Sequence, residues 1–355
     1  MNNIFFYEKY VKYLNKSNHI TTLLGGFIEY IQNPDDDESD DNNKLRGTYK
    51  SSDMNIDMKE LNYGKFTIGD KKSIYFFINH ILPNISFRGE VFGENAIKDI
   101  SILGKGAYGF VAKYKNLVFK FNHINDRKQI INENIILKHI SKPIHINIAK
   151  CYGSIYNDKI DLFDDDGEIR ISDIDVTNLF NTLCIQIFEK LNGNIIANMR
   201  SQLENPQILL LLINNLIEAV NYLYSNKIIH SDINNTSNII GIGENEENMI
   251  FKIIDFGKAR MITDDDDDTS KYRIGQYELN SSKMDYYDIV ILMAYDFVNF
   301  LPSPNKLIKY TEEQLKKEIQ TKYFEIAMQC KNILVWCVDK TNQTSVYERS
   351  YKYIL

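Results

Sequence analysis

Residues 104–120 read GKGAYGFVAKYKNLVFK. Gly104, Gly106 and Gly109 stand at the spacing G-x-G-x-x-G, and Lys120 closes a β-branched and aromatic run. Glycines let backbone N–H groups approach an anion, so such a loop can cover phosphates. A tight turn between two strands produces the same spacing, and the motif alone decides nothing. In a dinucleotide-binding unit the loop lies between a strand and a helix; here strand-like runs flank it on both sides, which argues against that use. Other chemistry-bearing side chains fall in three later stretches. Glu133 lies in NENIILK, Asp232 in IIHSDINNTSNII (228–240) and Asp255 in IIDFGKAR (253–260). Taken singly, Lys120 reads as a solvated strand lysine and Glu133 as an exposed helix glutamate. Their meaning lies in their order.

The elements that must hold these residues follow from hydrophobic period. ISILGKG, FVAKY and LVFKF are short alternating runs with tight turns, the pattern of an antiparallel meander. Residues 126–140 place Ile130, Ile131, Ile135, Leu137 and Ile140 near helical period, which puts Glu133 on a helix. NIAKCYGSIY and TLCIQIFEK read as two further strands, separated by the acidic insertion DKIDLFDDDGEIRISDID. Residues 206–225 form a long apolar helix with the stripe Leu209, Ile213, Leu216, Ile217, Val220 and Leu223, and 285–300 a second buried helix. Upstream, residues 1–32 have helical character. PDDDESDDNN at 34–43 carries too much like charge to collapse and reads as a linker. Residues 61–100 resume an apolar pattern. The class is α+β, strands first and helices after.

The totals narrow the partners. A net charge of −7 over 355 residues argues against nucleic acid as a bulk electrostatic partner. No apolar run approaches the ~20 residues that span a bilayer, so no membrane partner is expected. Cys151, Cys184, Cys330 and Cys337 are scattered, without metal-ligand spacing, which fits a reducing compartment. The start MNNIFFYEKYVKYL lacks a signal peptide's apolar core. The expected location is the cytosol or nucleus.

The order of these motifs resembles the eukaryotic protein kinase family, over roughly residues 100–300. The resemblance implies a bilobal fold: an antiparallel-sheet small lobe (95–190), a mainly helical large lobe (191–355), and an N-terminal extension (1–94). It implies ATP and Mg²⁺ as cofactors and a protein substrate. Gly104, Gly106 and Gly109 match the phosphate-covering loop, and Val111 and Val118 the apolar pair around adenine. Lys120 matches the lysine that holds the α and β phosphates, and Glu133 the helix glutamate that holds the lysine. Phe188, Glu189, Lys190 and Leu191 match the segment between the lobes, with the backbone at Glu189 and Leu191 facing the adenine edge. Asp232 matches the catalytic aspartate and Asp255 the magnesium ligand. Leu137, Cys151, His230 and Phe256 match a stacked column, and Asp285 the brace beneath the catalytic loop.

Four departures from the family pattern bear on activity. Ser231 replaces an arginine that commonly pairs with a phosphorylated loop, so such phosphorylation is not the expected switch. Asn234 replaces a lysine that offsets phosphoryl charge. Ser237 holds the position of the second metal ligand and Asn238 follows it, so a bulged loop with Asn238 as ligand is expected. The segment from Gly257 to Asp285 is short and has no A-P-E. The short step from Gly109 to Lys120 resembles compact kinases of large DNA viruses, which suggests a viral protein in a host cell. The leading reading is phosphoryl transfer from ATP to serine or threonine hydroxyls of proteins. The alternatives are a pseudokinase acting as a binding module and a small-molecule phosphotransferase of the aminoglycoside-kinase type.

Overall fold

Alternation builds the small lobe. In this computed structural model, strands β3 (Ser101–Gly106), β4 (Gly109–Tyr114) and β5 (Leu117–His123) form the expected antiparallel meander. Phe110, Ala112 and Tyr114 face Phe121, Phe119 and Leu117 across one strand pair, and all six are buried. The intervening residues Val111, Lys113, Val118 and Lys120 therefore share the opposite face. The structure describes residues 73, 74, 76–92, 100–106, 109–123, 127–156, 159–163, 166–172, 183–245, 247–262, 272–274, 277–279, 281–298 and 301–338. The helical reading of 1–32, the acidic linker 34–43 and the run Asp264–Asp268 lie outside the described residues. The chain divides into units 1–65 and 66–355, and every element named here lies in the second.

The full sheet has six strands in the order β3-β4-β5-β9-β6-β7, with β6 at Cys151–Tyr156, β7 at Lys159–Leu162 and β9 at Leu183–Glu189. Its apolar face is covered from upstream. Phe77, on a helical turn (Phe77–Ile81), packs its ring 4.7 Å from Phe119 and 5.1 Å from Phe121. β1 (Ile85–Phe87) and β2 (Glu90–Val91) form a hairpin, and β1 also pairs with β8 (Ile169–Ile171). Ile74, Phe77, Ile81, Leu82, Ile85 and Phe92 thus belong to the same apolar cluster as the sheet. The border drawn at 94/95 is not a packing border. The acidic insertion, too, is more than a loop, since β7 and β8 lie within it.

Helix α1 (Arg127–Ile140) follows β5 and carries Glu133. The large lobe is organised on α2 (Pro206–Ser225), which starts where the Asn205 side chain accepts from Gln207 N at 2.9 Å and Pro206 takes the first turn. By length and composition α2 could cross a bilayer, but Leu209, Leu212, Ile213, Leu216, Val220 and Leu223 are buried in the core. Against it pack α3 (Met284–Leu292) and α4 (Phe324–Val338), whose Tyr286 and Trp336 rings meet at 4.8 Å. Short pairings set up the site. β11 (Ile228–Ile229) pairs with β14 (Arg260–Met261), and β12 (Ile239–Ile242) lies between β10 (Gly193–Ile195) and β13 (Ile250–Ile253). These ladders bring the stretches around Asp232 and Asp255 side by side.

Candidate active site

Lys120 is the junction of three elements. Its Nζ lies 2.7 Å from Glu133 Oε1 on α1 and 2.7 Å from Asp255 Oδ1 after β13. The lysine sits within β5 rather than at its end, opposite Val111 on β4. Burial disfavours its ammonium form, but the Glu133 and Asp255 carboxylates outweigh that cost and hold its pKa above the ordinary lysine range. Burial likewise pushes the Asp255 carboxyl up, and Lys120 overcomes it, leaving the group below its usual range. Asp255 has φ +61°, a left-handed conformation that a non-glycine residue adopts at some cost. Lys113 lies on β4 opposite Val118, on the same face of the sheet.

Asp232 is held by three side chains. Its Oδ1 accepts from Lys258 Nζ at 2.7 Å, and its Oδ2 accepts from Asn238 Nδ2 at 2.9 Å and Asn235 Nδ2 at 3.4 Å. The loop makes a short helical turn, Thr236–Asn238, capped by the Asn235 side chain on Ser237 N. That turn exposes Ser237 and buries Asn238 against Asp232. Asn238 also accepts from Ile254 N through its backbone oxygen at 2.8 Å, which ties the loop to the strand leading into Asp255. Below the loop, Asp285 accepts from His230 N at 2.6 Å and Ser231 N at 2.8 Å. Ser231 is left-handed, at φ +65°. Burial pushes the Asp285 carboxyl up; these two N–H groups and His230 oppose the rise without cancelling it. The His230 and Phe256 rings meet edge-on at 4.9 Å, and Leu137, Cys151 and Phe256 share one apolar cluster.

The glycines divide by physical role. A Cβ at Gly109 would lie 1.7 Å from the Phe121 carbonyl oxygen, so the sheet itself demands glycine there. A Cβ at Gly104 would meet nothing within 4 Å, so the chain's own packing makes no such demand. Gly106 pairs with Gly109 at the hairpin end. Val111 and Val118 are half-buried on the face that carries Lys120. At the end of β9, the Glu189 side chain accepts from Lys252 Nζ at 2.6 Å and Lys150 N at 2.8 Å, and Leu191 follows half-buried.

The structure thus joins Lys120, Glu133 and Asp255 in one cluster, and Asp232 and Asn238 in an adjoining one. Three sets of contacts have no counterpart in the sequence pattern. Gln129 Nε2 donates to Gly257 O at 2.6 Å and Asn132 Nδ2 to Ala259 O at 2.8 Å, so α1 grips the turn after Asp255. Asn234 Nδ2 donates to buried Asp288 Oδ1 at 3.1 Å. Lys258 reaches Asp232. Only the polar spacing of α1, with Gln129, Asn132 and Glu133 on consecutive turns, hints that this helix does more than pack.

An antiparallel sheet and a helical lobe, with a lysine–glutamate–aspartate junction between them, define a fold of the protein kinase type. The protein kinase domain matches residues 97–344, and the chain belongs to that family. Among similar proteins, "Putative serine/threonine-protein kinase L670" of Acanthamoeba polyphaga mimivirus is 30% identical over 210 residues, covering 56% of this chain and 32% of the relative. "Calcium-dependent protein kinase 4" of Plasmodium falciparum is 25% identical over 255 residues, 66% of this chain and 41% of the relative. "Cyclin-dependent kinase E-1" of Arabidopsis thaliana is 29% identical over 174 residues, 45% of this chain and 32% of the relative. The chain therefore spans well under half the length of these relatives.

Proposed function

We propose that the chain transfers the terminal phosphoryl group of ATP to serine or threonine hydroxyls of proteins. One observation carries this reading: Lys120 Nζ stands 2.7 Å from both Glu133 and Asp255. A binding module has no physical need to converge a buried glutamate, a lysine and a strained aspartate on one point. The open space at Gly104 fits a group lying over the hairpin. The donor set fits a hard cation, because Asp255 offers carboxylate oxygen and Asn238, with Nδ2 committed to Asp232, offers its amide oxygen. In this reading Lys120 holds the α and β phosphates, Glu133 fixes Lys120, and Val111 and Val118 flank the adenine. Backbone groups at Glu189 and Leu191 meet the adenine edge. Asp255 and Asn238 would hold Mg²⁺, which when bound would neutralise phosphate charge. Asp232 orients the acceptor hydroxyl and takes its proton as the bond to phosphorus forms. Serine and threonine are favoured over tyrosine by the name of the mimivirus relative.

An acceptor panel tests the reading. The purified chain, with radiolabelled ATP and Mg²⁺, is offered serine/threonine peptides, tyrosine peptides and small hydroxyl compounds. Label confined to serine and threonine supports the proposal. Label in aminoglycosides or other small molecules overturns the protein-substrate reading, and label in none overturns the enzymatic one.

A further inference from the structure

We infer that Lys258 is a catalytic residue: it supplies the cation that stabilises the transferring phosphoryl group, in the place left by Asn234. This rests on the kinase reading and deepens it. Phosphoryl transfer spreads negative charge over three equatorial oxygens, and a site that lacks a cation there forgoes much of its electrostatic stabilisation. The loop residue two beyond Asp232 cannot serve. Asn234 is neutral, and its amide is turned down to Asp288 Oδ1 at 3.1 Å. Lys258, on the turn between Asp255 and β14, puts its Nζ 2.7 Å from Asp232 Oδ1.

The position of Lys258 is built rather than incidental. The carbonyls on either side of it, at Gly257 and Ala259, are held by Gln129 and Asn132 of α1 at 2.6 and 2.8 Å. Ala259 N donates to Phe256 O at 2.9 Å, closing the turn, and β14 then pairs with β11 three residues before Asp232. The Lys258 backbone is thus fixed, while its side chain is 62% exposed and able to swing from Asp232 to a bound phosphoryl group. In the step itself the acceptor oxygen bonds to the terminal phosphorus and the bond from phosphorus to the diphosphate oxygen breaks. The hydroxyl proton passes to Asp232, and the electron pair leaves with the nucleoside diphosphate. Lys258 stays protonated throughout and offsets the charge on the phosphoryl oxygens.

The test compares wild type, Lys258→Met, Lys258→Arg and Lys258→Met/Asn234→Lys, reading kcat, KM for ATP, and binding of Mg-ADP with and without aluminium fluoride. Lys258→Met is expected to lower kcat by about 100-fold, about 2.7 kcal/mol in barrier, with Mg-ADP affinity and thermal midpoint unchanged. Aluminium fluoride, which mimics the transferring phosphoryl group, should then tighten ADP binding far less than in wild type. Lys258→Arg should retain most of the activity, and the double variant should regain at least tenfold over Lys258→Met. A Lys258→Met enzyme within threefold of wild type, or faster than it, overturns the assignment; the faster case marks the contact as a plug on Asp232. Lost Mg-ADP affinity or a lowered midpoint overturns it in favour of a structural role. A wild type that transfers no phosphate overturns the kinase reading itself, and this inference with it.

Discussion

Replacing Asp285 by alanine removes the support under the catalytic loop, and the structure sets the size of the effect. Asp285 is 2% exposed and accepts two backbone N–H groups, from His230 at 2.6 Å and Ser231 at 2.8 Å. Each buried donor left without a partner costs about 1–3 kcal/mol, so the gross loss is about 4 kcal/mol. Ser231 is left-handed at φ +65°, and releasing that strain returns about 1 kcal/mol. The net loss is about 3 kcal/mol. For a domain of this size that lowers the melting midpoint by about 6–12 °C. Urea unfolding at about pH 7.5, followed by near-UV circular dichroism, should show a lower midpoint at unchanged slope. Asp285→Asn keeps one acceptor and should lose about half as much. A loss below about 1 kcal/mol for Asp285→Ala refutes the reasoning, because the buried His230 amide and the half-buried Ser231 amide would then have found other partners.

Three further outcomes are expected. Lys120→Met should lower phosphoryl transfer by about 10²–10³, while Lys113→Met, on the same face but outside the Glu133–Asp255 junction, should stay within about threefold of wild type. Asn238→Ala should lower transfer by about 100-fold, about 2.7 kcal/mol in barrier, whereas Ser237→Ala, at an exposed position, should be mild; the reverse ranking would show that Ser237 is the ligand. Burial raises the Asp296 carboxyl to about 6, against opposition from Arg200. A raised folded pKa makes stability fall as pH climbs from about 4 through about 6. Asp296→Asn should therefore stabilise the fold by about 1 kcal/mol at about pH 7.5, allowing for partial exposure, and by almost nothing at about pH 3.5. Paired urea titrations at the two pH values would measure this.

Local chemistry is legible in the sequence where it rests on period or on motif order. The two-residue alternation places Val111, Val118 and Lys120 together on one strand face, and helical period places Glu133 on α1. The polar stretch NNTSN signals a loop able to absorb an extra residue, and Asn238 is the one turned to Asp232. What stays hidden depends on contacts between distant elements. Gln129 and Asn132 bond backbone more than a hundred residues away, and no local pattern announces that. Lys258 reads as an ordinary charged residue in a turn until the β11–β14 pairing brings it over Asp232. β7 and β8 escape notice because each offers only two apolar residues in an acidic context, too few for a period to emerge. Residues 74–92 are apolar enough to suggest burial, but their attachment to the small-lobe sheet rests on ring contacts such as Phe77 on Phe119.

The central claim is that the junction at Lys120, Glu133 and Asp255 serves phosphoryl transfer. It is tested most directly by incubating the purified chain with γ-labelled ATP, Mg²⁺ and serine/threonine peptides, beside Asp255→Ala. The account predicts label in the peptides with wild type, its loss on chelation of Mg²⁺, and near-background transfer by Asp255→Ala despite retained fold. No transfer by wild type, or equal transfer by the variant, would contradict it.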